Sequence, residues 1–213
     1  MVLPTLFACS FLFSACKKEI DYADYVSELR SNIFLCDAEE FSLRVYATEK
    51  ESPYASDGVP CEVSPRAEFY LSAPSGDKDY SIAFTVDGKQ YGGDMSFDNV
   101  KTEYYYFCTL DISALDQLVC TLTCGEESVE LCAASVLDGS TLSPQAAFEN
   151  LLTAEKALFE GMTDDYGFAG EIYLRLIYED SPYYYIGVID RNGGTNAFLM
   201  NAQTGKILAR RQS

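Results

Sequence analysis

From Val26 to Val136 apolar and polar residues alternate in short runs separated by turn residues, the period-two pattern of half-buried strands. Phe41, Leu43, Val45 and Ala47 alternate with Ser42, Arg44 and Tyr46, so this run carries one buried and one outward side. Ala67, Phe69 and Leu71 repeat the arrangement, as do Tyr80, Ile82, Phe84 and Val86. Asp87-Gly88 supplies a primed hairpin turn into Tyr91, Gly93, Met95 and Phe97. Runs at Tyr104 to Leu110, Leu118 to Cys124 and Val129 to Val136, with a first strand near Val26 to Leu35, make about eight strands. Glu49 to Arg66, with three prolines, reads as the longest loop.

The period changes after Leu137. Ser143 caps a helix with Pro144 in its first turn, and Phe148, Leu151, Leu152, Leu158 and Phe159 form one stripe that ends at Gly161. Alternation then resumes at Ile172, Leu174 and Leu176. Turns at Asp180-Ser181-Pro182, Asn192-Gly193 and Gln203-Thr204-Gly205 separate four strands. The fold class expected is mainly β plus α+β: an N-terminal immunoglobulin-like antiparallel β-sandwich over 25–137, then a small helix-plus-four-stranded-meander domain over 138–213. The immunoglobulin likeness is one of architecture, since the chain has no Trp. A unit of about 70 residues has a small core of its own, so the two domains are expected to share an apolar interface.

The N-terminal run Val2 to Phe13 is too short to span a bilayer and stops at small residues, as a secretory signal does. Phe13-Ser14-Ala15-Cys16 resembles the lipobox of bacterial lipoproteins. That resemblance implies cleavage of residues 1–15 between Ala15 and Cys16, and a diacylglycerol on the Cys16 thiol that anchors the chain outside the cytoplasm. Residues 16–24, opening with Lys17-Lys18-Glu19, then read as a tether. Tyr185 to Asp190 and Ala197 to Leu208, with Asn201-Ala202-Gln203-Thr204-Gly205, resemble the end of a PepSY domain, a family of thermolysin-type propeptides and bacterial envelope proteins. Asn201 stands where that family commonly has Asp. The resemblance implies an extracytoplasmic regulatory or peptidase-inhibiting module with no catalytic residues.

Thirty-three acidic against 15 basic residues give a charge of −18. The basic residues form no cluster beyond Lys17-Lys18 and Arg210-Arg211, which disfavours nucleic acid. With no histidine, the usual general base and triad member is missing. Apart from Cys9 and Cys16, the cysteines are Cys36, Cys61, Cys108, Cys120, Cys124 and Cys132, which either pair as disulfides or remain reduced buried thiols. A bridge between Cys124 and Cys132 near the Gly125-Glu126 turn is one option. Residues four apart on a strand, such as Cys120 and Cys124, lie about 13 Å apart, too far to share one zinc ion. No metal or cofactor is expected.

Tyr104, Tyr106, Tyr183 and Tyr185 are the candidate ligand contacts, because exposed rings stack on sugars or peptides. The function expected is a non-catalytic lipid-anchored envelope protein that binds or regulates an extracytoplasmic partner, either an envelope protein such as a peptidase or a wall polymer. One alternative is a wall-active glycosidase using a carboxylate pair, with Asp164, Asp165 and Glu171 as ordinary acids near the helix. Another is the substrate-capturing lipoprotein of a transporter. Chain recovered from its host is expected to begin at Cys16 and to carry the mass of fatty acyl chains. Cys16→Ser is expected to leave it uncleaved and out of the detergent phase, as mass spectrometry and phase partition will read.

Overall fold

The computed structural model describes residues 20–52 and 59–213. The signal run, Ala15, Cys16 and Pro53 lie outside the described residues. In chain order a 3-10 turn, Tyr22–Tyr25, leads into strands β1 (Val26–Asp37), β2 (Ser42–Glu51), β3 (Val63–Ser72), β4 (Ser81–Val86), β5 (Lys89–Asp94), β6 (Ser96–Asp98), β7 (Glu103–Cys108), β8 (Gln117–Cys124) and β9 (Glu127–Ser135). Helices α1 (Pro144–Ala154) and α2 (Lys156–Gly161) follow. The chain ends with β10 (Thr163–Asp164), β11 (Gly167–Phe168), β12 (Gly170–Tyr178), β13 (Pro182–Asp190), β14 (Thr195–Asn201) and β15 (Ile207–Gln212). The protein is mainly β, with a large, mostly antiparallel sheet and two helices.

Strand β1 organises that sheet. Along one edge it pairs with β2, from Glu28↔Lys50 to Asp37↔Ser42. Its other edge is divided: Val26 to Arg30 pair in parallel with Ile172 to Arg175 of β12, and Phe34 and Leu35 pair with Ser135 and Ala134 of β9. One path therefore runs β15-β14-β13-β12-β1-β2-β3-β7-β6, while β9 leads through β8 to β4 and β5. The two halves of the chain share a strand as well as apolar contacts, and the sheet continues across the expected boundary at 137.

Two cores flank the divided strand. Phe34, Val45, Phe69, Phe84, Leu118 and Leu122 belong to the first, filled by the inward positions of β1–β9. Ile33 of the same strand belongs to the second, with Phe148, Leu151 and Phe159 of the helices and Ile172, Leu174, Leu176, Tyr184 and Ile186 of the meander. Between them sits Asn32, 1% exposed. Its amide donates to the carbonyls of Ser113 and Leu115 at 3.1 and 3.3 Å, and its oxygen accepts the Ser135 hydroxyl at 2.8 Å. A buried polar group is tolerable when its hydrogen bonds are made, and here they hold the loop before β8 against the point where β1 exchanges one neighbour for another.

Local chemistry explains several elements. The Ser143 hydroxyl accepts from the N–H of Ala146, and Pro144 sits at the first helical position. The helix expected to run through to Gly161 breaks at Glu155. Thr153 turns its hydroxyl back onto the Glu149 carbonyl at 2.9 Å, a contact that bends helices, and the second segment then brings Phe159 to within 6.2 Å of Phe148. Asp87 and Gly88, at φ 50 and 74, form the primed turn expected of that dipeptide. The expected Glu49 to Arg66 loop is shorter, because Glu51↔Val63 and Glu49↔Pro65 are strand pairs.

Residues 20–24, expected as tether, are docked: Ile20 and Tyr22 pack on the second core, with Tyr22 edge-on to Phe159 and Phe168. The β10–β11 hairpin was not foreshadowed by any periodic run.

A fragment of residues 140–213 lacks β1, which leaves one side of β12 unpaired and uncovers part of the second core. It is expected to unfold broadly in urea, well below the midpoint of the full chain. A cooperative transition of equal stability would refute the shared strand's role.

Candidate functional site

Because successive residues of a strand point to opposite faces, the pairing registers define what each face carries. Ile172, Leu174 and Leu176 of β12 turn toward the helices. Tyr173, Arg175 and Ile177 therefore take the opposite face. Register continues a row across the sheet through Arg175: Leu199, Tyr185, Arg175, Arg30, Thr48 and Arg66 lie side by side on β14, β13, β12, β1, β2 and β3. Neighbouring rows bring Tyr183 beside Ile177, Glu28 beside Tyr173 and Lys50, and Glu68 between Tyr46 and Phe107, with Ile33 on the other side of Tyr46. Arg44, Tyr70 and Tyr105 form another row. This face is open: Phe107 is 54% exposed, Tyr105 38%, and the side chains of Arg44 and Arg175 are 44% and 32% exposed.

Its centre is an ion cluster. The Arg175 guanidinium grips the Glu28 carboxylate with two N–H donors at 2.6 and 2.7 Å, the fork geometry that suits a carboxylate. Lys50 Nζ stands 3.5 Å from the same carboxylate. Burial alone raises the pKa of Glu28, but the Arg175 hydrogen bond and the charges of Arg175, Lys50 and Arg30 outweigh it and hold the carboxyl below its ordinary value. Next to it the Arg30 guanidinium lies 3.9 Å from the centre of the Tyr46 ring, and that ring lies 5.4 Å from Tyr70. Burial, then the charge of Glu68, pushes the Tyr70 hydroxyl up to about 12, so it stays protonated as a donor. Arg66 lies over Phe107, and Arg44 pairs with Glu103 at 2.6 Å.

Of the tyrosines expected to meet a ligand, Tyr183 and Tyr185 lie on this face, half-buried. Tyr104 does not: it is 2% exposed, its hydroxyl donates to the Lys78 carbonyl at 2.6 Å, and its ring packs on Tyr80 and Phe97 inside the first core. Tyr106 also turns inward, against Phe69 and hydrogen-bonded to the Cys108 thiol. Tyr173, Arg175, Arg30, Tyr46 and Tyr70 were not among the expected contacts. Alternation on each strand marks all of them as outward, but their grouping requires β1 to pair with β12.

The cysteines at 36, 61, 108, 120, 124 and 132 are free thiols, all before the helices. Burial, with Cys36 and Cys132 close by, pushes Cys120 up to about 12. Burial likewise raises Cys36 and Cys108. Such thiols are poor nucleophiles. In the β8–β9 register Cys124 faces Glu127 and Cys132 faces Val119. Five residues of β9, about 17 Å, therefore separate Cys132 from the position opposite Cys124, which rules out that bridge. Among the described residues no three metal-ligating side chains converge.

Of the acids near the helix, Asp164 and Glu171 have polar partners. Asp164 accepts the N–H groups of Tyr166 and Gly167 in the β10–β11 turn and lies 3.6 Å from Arg191. Asp165 is exposed, and Glu171, 5% exposed, accepts the Ser27 hydroxyl at 2.6 Å. At Asn201 the amide oxygen accepts the N–H groups of Gln203 and Thr204 and the Thr204 hydroxyl, which orders the turn before β15.

Glu28→Gln leaves two cations without their shared carboxylate and is expected to cost about 2 kcal/mol at neutral pH, less than a fully enclosed pair because Arg175 is partly solvated. Glu28 is depressed in the folded state, so its contribution is complete above the unfolded value and is lost as pH falls through the folded one. The gap between wild type and Glu28→Gln is therefore expected to hold above about pH 5 and to shrink below 4.5 in urea titrations. Comparison with known proteins found no family model, no curated protein and no solved structure that matches this chain.

Proposed function

We propose that this chain is a non-catalytic, lipid-anchored protein of the bacterial cell envelope that binds or restrains an extracytoplasmic partner, a peptidase or a wall component, through the open face of its sheet. In this reading residues 1–15 are a signal peptide and Cys16 carries the anchor. Residues 25–137 are an immunoglobulin-like sandwich and 138–213 a PepSY-like unit. An interrupted helix, then a short hairpin and four antiparallel strands, is an order compatible with the latter.

The observation that carries the proposal is the composition of the open face. In a chain of charge −18, the face gathers Arg30, Arg44, Lys50, Arg66 and Arg175 against Glu28, Glu68 and Glu103, interleaved with tyrosines. Basic residues are the minority in the chain, 15 against 33 acids, yet they outnumber acids on this face. Tyrosine and arginine are the side chains enriched where proteins bind partners, because each offers a large rigid surface with few torsions to immobilise. The lack of histidine and the raised pKa values of the buried thiols support a binding role over a chemical one.

Co-sedimentation of the purified full chain with envelope fragments from its host tests this reading. Tyr183→Ala with Tyr185→Ala is expected to weaken binding roughly tenfold, with an unchanged circular dichroism spectrum and melting point. Binding that survives the double substitution would remove the face from its assigned role.

A further inference from the structure

Two features of the open face point to the chemistry of its ligand. Among the described residues, no carboxylate forms an ion pair with Arg30 or Arg66, although 33 acids are available in the chain. The Nε–H of Arg30 is enclosed and has no hydrogen-bond acceptor. That atom is out of reach of an outside ligand, but both side chains are only half-buried and lie over rings, Arg30 on Tyr46 and Arg66 on Phe107, so no contacting carboxylate cancels their charge and they are complementary to an anion brought from outside. Arg175, Arg30 and Arg66 stand in one row running across the strands, with only Thr48 between the last two. Adjacent strands are about 4.8 Å apart, so a linear polyanion lying across the sheet meets guanidinium groups at short, repeated intervals.

We infer that the face built around Arg30, Arg66, Arg175, Tyr185 and Tyr46 binds an acidic polysaccharide, a chain of sugar rings carrying carboxylates. This deepens, and rests on, the reading of the face as a binding surface. Sugar rings stack on Tyr185 while their carboxylates take Arg30 and Arg66; Arg175, whose fork is held by Glu28, adds positive charge beside them. An acidic peptide fits less well. Peptides gain affinity on sheets by adding a strand to an open edge, and the backbone of β1, β2, β12 and β13 is already paired on both sides where the row crosses it.

The test uses purified full-length protein at low salt with three probes: polygalacturonate, neutral dextran and poly-L-glutamate. Polygalacturonate is expected to retard the protein in affinity electrophoresis and to release it at ~1 M salt, where screening is nearly complete. Dextran is expected to have no effect, and poly-L-glutamate to bind at least roughly tenfold more weakly. Arg30→Gln with Arg66→Gln is expected to weaken the polygalacturonate complex roughly tenfold or more, and Lys156→Gln on the far helix to leave it unchanged. Should the double variant misfold, Arg66→Gln alone gives the same reading. Equal affinity for poly-L-glutamate, retention of binding by the arginine variants, or no polygalacturonate complex at low salt would each overturn the inference. If envelope co-sedimentation still depends on Tyr183 and Tyr185, only the ligand class falls; if that dependence is lost too, the face itself does.

Discussion

The structure depends on one strand having different neighbours along its two ends. β1 keeps β2 on one edge throughout, but its other edge passes from β12 to β9 within a few residues. A strand in mid-sheet needs both rows of backbone groups satisfied, so the change of partner must be managed locally. A register shift between Arg30 and Asn32 and the side chain of Asn32 do this. The irregularity bends the strand and increases its twist, and the Asn32 amide ties down the chain that approaches from the other side. Two cores can then lie along one strand, with Phe34 in the first and Ile33 in the second.

The same junction makes the open face. Arg30 and Glu28 belong to the N-terminal segment, Arg175, Tyr173 and Tyr185 to the C-terminal one, and the parallel ladder alone brings them side by side. The Glu28–Arg175 pair spans that seam. Ion pairs in partly enclosed positions contribute less to stability than their short distances suggest, because desolvation offsets attraction. Their geometry is specific all the same, and this one holds the registers of β1 and β12 that line up the guanidinium row.

Much of the architecture was legible in the chain. Alternation located the strands from Phe41 to Val136, and Ser143-Pro144 located the start of the helix, because period and capping are local properties. Turn chemistry placed the four C-terminal strands in the same way. What was hidden is non-local. Nothing within a strand marks which other strand it will pair with, so the joining of β1 to β12 and the face it creates could not be read. Tyr104 was expected at a ligand surface because three consecutive tyrosines look alike in sequence, and only the pairing of Tyr104 with Leu71 and Phe97, and of Tyr105 with Tyr70 and Ser96, decides which ring turns inward. The break at Glu155 escaped because the apolar stripe resumes at Leu158 and Phe159 as if uninterrupted, and the backward bond of the exposed Thr153 hydroxyl leaves no periodic trace. Tyr22 looked like part of a polar leader because its partners, Phe159 and Phe168, lie far along the chain.

The parallel ladder also bears on how the molecule is made. Ser27 bonds Glu171 across 144 positions of sequence, and Arg175 bonds Glu28 across 147. A ribosome adding about 5–20 residues each second leaves β1 waiting roughly seven to thirty seconds for β12. During that interval β2 covers one flank and β9 only Phe34 and Leu35 on the other, so the Val26 to Arg30 stretch is a bare template for stray pairing. Lys17, Lys18, Glu19, Asp21 and Asp24 place a dense block of charge just ahead of it, the kind of gatekeeper that discourages such association until the last-made strands arrive.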